Sequence, residues 1–307
     1  MQVAILLSTL NGARHLAAQL DSLLAQTHAD WRLVWRDDGS SDRSAAILRG
    51  FADRAGAGRC IEADAAAGER LGAGASFLLL LRAARAALPS ACAFAFADQD
   101  DIWLPDKLAR GLADIAPHAG QPALYCARQV LVDAELAHLG LSQPLDGPRG
   151  FPAALTQNIA TGCTVMLNPP AATLIAASAM PAGSLHDWWS YLVVSAAGGA
   201  IVADEVPVVL YRQHAANAVG APVSRVRRAA AALRRGPRRF MALLRAHVAA
   251  LRARPELLSP AAAADLARID AALRGGVLRR LACLRMPGLR RQTWWEDVVF
   301  RVWFVLG

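Results

Sequence analysis

The first half of the chain alternates short apolar runs with segments in which leucines recur at helical spacing. The runs "VAILLS", "WRLVWRD" and "ACAFAFA" predict buried strands. The segments "ARHLAAQLDSLLAQ", "RSAAILRGFA", "FLLLLRAARAAL" and "DKLARGLADI" predict helices, and Asp42 is the expected N-cap of the second. Strands that alternate with helices predict an α/β fold with a mostly parallel sheet flanked by helices.

The pattern changes twice further along the chain. "ALYCA", "CTVML" and "VPVVLYR" predict short strands, and "DWWSYLVVSAA" predicts a helix. After residue 221, arginines recur at spacings of 7, 4, 7 and 7, which places them on one helical face: Arg227, Arg234, Arg238, Arg245 and Arg252. Gly236–Pro237 is expected to break this helix. We therefore divide the chain into an α/β domain, residues 1–221, and a basic α-helical C-terminal extension, residues 222–307.

The charge distribution supports this division. The chain has 307 residues, of which 55% are apolar and 19% charged, so it can bury a large core. Residues 222–307 contain 18 arginines and five acidic residues, whereas residues 1–221 contain 15 basic and 20 acidic residues. The basic extension carries no nucleic-acid reading motif, so no nucleic-acid partner is expected. The G-x-G-x-x-G and P-loop motifs are also missing, which argues against a dinucleotide oxidoreductase and a P-loop NTPase.

Cysteine usage and hydropathy indicate the compartment. The five cysteines form no C-x-x-C pair, which favours free thiols in a reducing compartment. "MQVAILLSTLNG" is interpreted as a strand and its turn instead of a signal peptide. No run approaches the roughly 20 apolar residues that a spanning helix needs. A cytoplasmic protein is therefore expected.

Acidic side chains follow two of the predicted strands. Asp37 and Asp38 end the second strand, and Asp98, Asp100 and Asp101 follow "ACAFAFA". Ligands of open α/β sheets bind at the carboxyl ends of the strands. Carboxylates this close repel one another, and a divalent cation held by oxygen ligands would relieve that repulsion. The alternative is a solvated acidic loop before the next helix.

Seven segments in order carry a family resemblance. They are "STLNG", "SLLAQTHADWRLVWRDDGSSD", "ERLGAGASF", "FADQDDIW", "ATGCTVML", "LHDWWSYL" and "YRQHAANAVG". Over residues 1–220 the chain resembles the inverting family 2 glycosyltransferases of the GT-A fold. The forms "DQDDIW", "HDWW" and "YRQH" resemble most the bacterial rhamnosyltransferases that use dTDP-L-rhamnose. This implies a metal-dependent enzyme of cell-surface polysaccharide assembly, such as lipopolysaccharide O-antigen, with a nucleotide-sugar donor and a saccharide or lipid-linked saccharide acceptor.

The resemblance also implies roles for individual residues. The expected general base is Asp187. Ligands of Mn²⁺ or Mg²⁺ are expected at Asp100 and His214. Contacts to the donor nucleotide are expected from Ser8, Thr9, Asp37, Asp38, Arg70 and Asp98. Contacts on the acceptor side are expected from Gly162 and Trp188.

Several of these residues have simpler alternative explanations. Ser8 or Thr9 could cap the following helix, and Asp37 could only brace its turn. Arg70 could be a surface residue, and Asp187 could cap the helix that it begins. A catalytically degenerate sugar-binding relative is the alternative to an enzyme, although such a protein would be expected to lack Asp100 or Asp187.

The C-terminal extension has its own hypothesis. Its arginine face and the aromatic segment "TWWEDVVFRVWFVLG" suggest peripheral attachment to the inner face of the cytoplasmic membrane, through anionic lipid. The alternatives are an extension that packs on the acidic domain, or a dimer contact.

Overall fold

The computed structural model describes residues 1–63, 69–214 and 225–307, with side chains described from residue 236 onward in the last range. The strands are β1 (Val3–Thr9), β2 (Trp31–Asp37), β3 (Cys60–Glu62), β4 (Ala93–Ala97), β5 (Ile102–Trp103), β6 (Ala123–Ala127), β7 (Val130–Val132), β8 (His138–Leu141), β9 (Met166–Leu167), β10 (Ala200–Asp204) and β11 (Val209–Arg212). The helices are α1 (Leu16–Leu24), α2 (Ser44–Ala55), α3 (Ala73–Ala87), α4 (Lys107–Ile115), α5 (Pro169–Ala177), α6 (His186–Ala196), α7 (Arg225–Arg252), α8 (Pro260–Arg274), α9 (Val277–Cys283) and α10 (Trp294–Leu306).

The main sheet has seven strands in the order β10-β6-β9-β4-β1-β2-β3. All neighbouring pairs are parallel except those of β9, which runs antiparallel to both β4 and β6. The predicted α/β fold with a mostly parallel sheet and C-terminal helices is therefore confirmed. Because β4, β1 and β2 are parallel neighbours, their carboxyl ends lie together at one edge. The turns that follow them contain the acidic residues singled out in the sequence.

A second sheet brings the end of the domain to this edge. It has four short strands in the order β5-β11-β7-β8. β5 follows the Asp98–Asp101 loop directly and pairs antiparallel with β11, with Trp103 opposite Val209. β11 ends at Arg212, two residues before His214. The pairing of these strands therefore places His214 next to a loop that lies more than 100 residues earlier in the chain.

The main sheet is buried on both faces. Ala4 and Leu6 of β1 belong to one hydrophobic cluster, and Val3, Ile5 and Leu7 belong to the cluster on the other face. Burial on both faces explains why the strands are continuous apolar runs without polar alternation.

The C-terminal extension packs into the first of these clusters. Met241, Leu244, Val248 and Leu251 of α7 recur at spacings of 3, 4 and 3 and are buried there. Phe300 and Phe304 of α10, both wholly buried, belong to the same cluster. The extension and the α/β domain thus share one hydrophobic core.

The arginine face of α7 is partly engaged within the extension. Arg252 forms an ion pair with Asp270 of α8, and Arg245 donates to the carbonyl oxygen of Gly307 at 2.6 Å. Arg227 and Arg234 lie outside the described side chains. Gly236 has a positive φ of 71°, which confirms the predicted break in this helix.

Two sequence predictions need local correction. The N-cap of α2 is Arg43, and the carboxylate of Asp42 instead accepts from Ser44 N at 2.9 Å and from Ala13 N at 3.0 Å. "CTVML" is only a strand at Met166–Leu167, because a 3₁₀ turn occupies Gly162–Thr164.

Within the described ranges, none of the helices combines the length and the apolar character that crossing a bilayer requires.

Candidate functional site

The turns after β1 and β2 are joined by hydrogen bonds. Asn11, which has a positive φ of 50°, donates its N–H to Ser40 Oγ at 2.8 Å and accepts from Ser41 N at 2.8 Å. Gly12 donates its N–H to Ser44 Oγ at 2.8 Å. These bonds join residues 10–12, "LNG", to residues 39–44, which begin with "GSSD". We call these two joined segments the floor of the site, at the carboxyl edge of the sheet.

Gln99 connects this floor to the acidic loop after β4. Its amide oxygen accepts from Thr9 Oγ1 at 2.7 Å and from Leu10 N at 2.8 Å. A Cβ atom on Gly12 would overlap the Gln99 amide, so glycine is required for this close approach. No pattern in the sequence indicated this role of Gln99. Thr9 is buried and bonded to it, while Ser8 is half-buried at the end of β1. Neither hydroxyl caps α1, whose N-cap is His15.

Asp37 and Asp38 have different surroundings. Asp37 is half-buried and accepts from Ser40 N at 2.9 Å, so it braces its own turn. Asp38 is buried and accepts from Leu71 N at 2.7 Å and from Gly72 N at 2.8 Å. The carboxylate of Asp38 therefore holds the segment before α3, and the groups that donate hydrogen bonds to it belong to the protein itself.

A buried ion pair supports Asp38. The Arg36 guanidinium pairs with it, and Arg36 also donates to Ser76 Oγ at 2.7 Å. Burial disfavours the charge on Asp38, but the hydrogen bonds from Arg36, from the loop amides and from Ser76 outweigh it and lower the pKa. Arg70 lies in the segment that Asp38 holds, and it is exposed at the edge of the site.

The predicted metal ligands Asp100 and His214 lie in contact. His214 Nε2 is 2.8 Å from Asp100 Oδ2, and both side chains are about five-sixths buried, with relative exposures of 16% and 17%. These two atoms are hydrogen-bonded to each other, and about 3 Å is also the spacing of two neighbouring ligands of one octahedral ion. A carboxylate with an imidazole is also a donor set that suits Mn²⁺. The residues present therefore fit a divalent cation. His15, stacked on the His214 ring with centroids 5.3 Å apart, supports this arrangement and was missed by the sequence analysis.

Asp98 lies close to Asp100 and to the expected base, Asp187. Burial, and then the negative charges of Asp100 and Asp187, raise the pKa of Asp98 to about 8. Ligand atoms of Asp98, Asp101 and Cys163 also lie within 4.8 Å of one another. A bound cation would relieve the repulsion between these neighbouring carboxylates.

Asp101 anchors the acidic loop to the second sheet. It is buried, and its Oδ1 accepts from Arg212 N at 3.1 Å. Arg212 Nε donates to the carbonyl oxygen of Asp100 at 2.8 Å. One oxygen of Asp101 therefore joins the acidic loop to β11.

Lys107, the only lysine of the chain, lies beneath this loop. It is completely buried, and its Nζ lies 3.6 Å from the centroid of the Trp103 ring, close enough for a cation–π contact. Burial lowers the pKa of Lys107 to about 7, although Cys163 and Asp101 act in the opposite direction. From the sequence alone, a metal ion is the expected source of positive charge near the carboxylates. The structure also places the amino group of Lys107 near Asp101 and Cys163.

Asp187 lies in the first turn of α6 and is buried. Its carboxylate accepts from Gly162 N at 3.1 Å and from Trp188 N at 2.6 Å. Burial raises the pKa of Asp187 to about 6, although these hydrogen bonds and one from the Asn158 side chain lower it in part. The N-cap of α6 is Leu185, so the helix-cap alternative for Asp187 is not what the structure shows. The result is an oriented carboxylate with the proton affinity of a base.

Gly162 lies against Asp187. A Cβ atom on Gly162 would lie 3.0 Å from His186 Nε2 and 3.6 Å from Asp187 Cβ. His186 itself packs as a neutral core residue. Its ring stacks on Phe77 with centroids 3.9 Å apart, and burial lowers its pKa to about 3.

The two tryptophans after Asp187 point into the protein. Trp188 Nε1 donates to the carbonyl oxygen of Ala154 at 2.8 Å, and its ring meets the edge of His247 from α7. Trp189 is buried, and its Nε1 donates to Ser178 Oγ at 2.7 Å. The half-buried Trp188 thus connects the helix that carries Asp187 to the loop before Asn158.

Comparisons with known proteins agree with this geometry. Residues 4–153 match the family model of glycosyl transferase family 2. An uncharacterized glycosyltransferase of Nostoc sp. is 34% identical over 110 residues, which are 36% of this chain and 31% of that protein. The chain thus matches less than a third of this curated relative's length. The N-terminal half of the chain is thus similar to glycosyl transferase family 2.

Solved structures share the fold. The crystal structure of residues 1–349 of S. aureus TarS in complex with UDP-GlcNAc aligns with a TM-score of 0.60 at 13% identity, over 92% of this chain and 79% of that one. The same protein in complex with UDP aligns with a TM-score of 0.57 at 13% identity, over 92% and 78%. These alignments include the C-terminal extension and show that the fold is of the GT-A type.

Proposed function

We propose that this chain is an inverting family 2 glycosyltransferase that moves a sugar from a nucleoside diphosphate to a hydroxyl of a saccharide or lipid-linked saccharide. The observation that carries the proposal is the position of Asp98. Asp98 lies near enough to Asp100 and to Asp187 for both negative charges to raise its pKa, so the carboxylate expected to hold the metal ion and the one expected to take the proton lie near the same residue. Single-displacement glycosyl transfer needs these two functions side by side.

In this mechanism Asp187 takes the proton of the acceptor hydroxyl. The acceptor oxygen forms a bond to the anomeric carbon as the bond from that carbon to the phosphate oxygen breaks, and the electron pair leaves with the diphosphate. The N–H groups of Gly162 and Trp188 fix the direction of the Asp187 carboxylate before the substrate arrives. Such preorganisation lowers the cost of reaching the transition state.

Asp100 and His214 would hold the cation, Mn²⁺ or Mg²⁺, with Asp98 beside them. A bound divalent ion would stabilise the negative charge of the departing diphosphate as a Lewis acid. The floor of "LNG" and "GSSD", with Ser8, Thr9 and Asp37, would receive the nucleoside. Asp38 would act indirectly, since its hydrogen bonds to Leu71 and Gly72 position the segment that carries Arg70.

The donor that we propose is dTDP-L-rhamnose, because "DQDDIW", "HDWW" and "YRQH" resemble the rhamnosyltransferases that use it. His214 is the last described residue of the "YRQHAANAVG" segment, and the rest lies outside the described residues. On this proposal the enzyme works in cell-surface polysaccharide assembly.

Thermal shifts should identify the donor. In the presence of Mn²⁺, dTDP-L-rhamnose is expected to raise the melting temperature more than UDP-GlcNAc or GDP-mannose at equal concentration. A ligand at 100 times its dissociation constant adds about 2.7 kcal/mol, which corresponds to several degrees for a chain of this size. A larger shift with UDP-GlcNAc would indicate that UDP-GlcNAc, and not dTDP-L-rhamnose, is the donor. No shift with any nucleotide sugar would contradict nucleotide-sugar binding itself.

The pH dependence of the reaction should follow Asp187. Only the ionised carboxylate can accept a proton, and burial raises its pKa to about 6. We therefore expect kcat/KM to fall about tenfold per pH unit below that value and to level off above it. The measurement is a pH–rate profile at saturating Mn²⁺. A profile that stays flat from pH 5 to 8 would argue against Asp187 as the base.

The degenerate binding protein is the remaining alternative. Asp100 and Asp187 are both present and oriented, which favours the enzyme. In the absence of acceptor, the enzyme is expected to release free sugar slowly from the donor, whereas a binding protein releases none. The assay needs no knowledge of the acceptor.

A further inference from the structure

Two adjacent helices at the end of the chain expose apolar side chains to solvent. We call this surface the α9–α10 face; its members are Val277, Leu278 and Leu281 of α9 and Trp294, Val298, Val302 and Leu306 of α10. The four residues of α10 recur every fourth position, so they form one stripe along the helix. Trp294 and Leu306, at the two ends of the stripe, are 79% and 78% exposed.

The opposite side of α10 is also apolar. Phe300 and Phe304 are completely buried in the main core. A helix of a soluble protein normally turns a polar face to water, whereas α10 turns Val298 and Val302 outward. A contiguous exposed apolar surface of this kind marks a binding site for a protein or a membrane.

A groove separates the two helices. It has a volume of about 450 Å³ and is lined by Leu281, Leu284, Arg285, Arg301, Val302, Val305 and Leu306. Apolar side chains thus form its walls, and guanidinium groups lie among them. Acyl chains and anionic headgroups of lipids together match this combination.

The charge around the face is strongly positive. Residues 274–307 contain seven arginines and two acidic residues. Both acids are engaged inside the extension: Glu296 with Thr293 at 2.8 Å, and Asp297 with Arg301 at 2.6 Å. Arg279 and Arg285 are exposed beside the apolar stripe. An anionic partner is therefore favoured.

We propose that the α9–α10 face docks on an anionic lipid bilayer, with α9 and α10 lying in the headgroup layer. Trp294 is an interfacial type of residue, and the arginines would meet lipid phosphates. A second copy of this chain fits less well. A two-fold interface would bring the same arginines of both copies together, and like charges at an interface are costly.

The face is connected to the acceptor side of the site. Gln292, just before α10, accepts from Gly147 N at 3.1 Å, and its own N–H donates to Gln157 at 3.1 Å. Thr156 Oγ1 donates to the carbonyl oxygen of Arg290 at 3.1 Å. Asn158, which follows Gln157, hydrogen-bonds to Asp187. Resting on the proposed function, this connection indicates a lipid-linked acceptor that reaches Asp187 from the bilayer on which α10 lies.

Vesicle flotation tests the surface without any enzymatic readout, so its result is separate from that of the proposed function. The intact chain should float with vesicles of phosphatidylglycerol and phosphatidylcholine at low salt, and much less with phosphatidylcholine alone. Val298→Asp and Val302→Asp together should lower the vesicle-bound fraction about tenfold, because charge enters the apolar stripe. The matched control is Val206→Asp, on the loop after β10, where valine is 46% exposed against 50% for Val302. This control should float like the unaltered chain.

Point substitutions are preferable to a truncation, because removing α10 would take Phe300 and Phe304 out of the core. Circular dichroism and melting temperature should show that the paired variant is folded. Failure of the intact chain to float would overturn the proposal, as would equal flotation of the paired variant. A dimer in light scattering that the paired variant converts to a monomer would also overturn it and assign the face to a second copy.

Discussion

Asp187→Asn is expected to reduce sugar transfer by about 10²–10⁴-fold, the usual cost of losing a general base. Asparagine has nearly the same shape and can still accept from Gly162 N or Trp188 N, but it cannot take the acceptor's proton. Donor binding should survive, because the proposed metal pair is separate from Asp187. The two measurements are the turnover rate at saturating donor and the thermal shift with donor and Mn²⁺.

Asp204→Asn is a suitable control for this experiment. Asp204 is also buried, and it accepts from Arg110 Nε at 2.9 Å and from Tyr125 at 2.8 Å. Its loss should lower the stability but leave the turnover of folded enzyme near that of the unaltered chain. If Asp187→Asn turned over as fast as this control, Asp187 would not be the base.

Chelation with EDTA is expected to stop transfer, and Mn²⁺ or Mg²⁺ to restore it. Asp100→Ala should lower kcat/KM by about two to three orders of magnitude even at high Mn²⁺, because the charge on the departing diphosphate is then less well stabilised. His214→Ala should have a smaller effect, because it removes a neutral ligand and leaves the carboxylates in place. The measurement is a titration of activity against Mn²⁺ for each variant.

His118→Ala is the control for the histidine variant. His118 follows α4 and precedes β6, so it lies toward the opposite edge of the sheet from the site. Its replacement should leave the Mn²⁺ dependence unchanged. Full activity in EDTA would show that Asp98, Asp100 and Asp101 hold no metal ion that the reaction needs.

The sequence predicted the sheet because strands depend on local patterns, whereas the roles of individual site residues were expected from a family resemblance and stay predictions. Long apolar runs and strand-end carboxylates are visible without a structure. The pairing of Asp100 with His214 is not, because it depends on β5, a strand of two residues that is too short to show any periodicity. β7 and β8, which complete the second sheet, were missed for the same reason.

The roles of neighbouring acids could not be separated in the sequence. Successive side chains at a strand end point in opposite directions, so Asp37 and Asp38 cannot both face a ligand. Asp38 turns inward to Arg36, an arginine whose burial no local pattern indicated. Asp101 and Lys107 are similar cases, since their burial follows from the packing of α4 and β11 against the acidic loop.

The burial of Lys107 also determines how the folded chain responds to amine-directed reagents. Because Lys107 is the only lysine of the sequence and is completely buried, an N-hydroxysuccinimide ester should leave it unlabelled on the folded chain. Lys107 would become reactive only when the segment around Trp103 opens, so a label at this position would count opening events beneath the acidic loop.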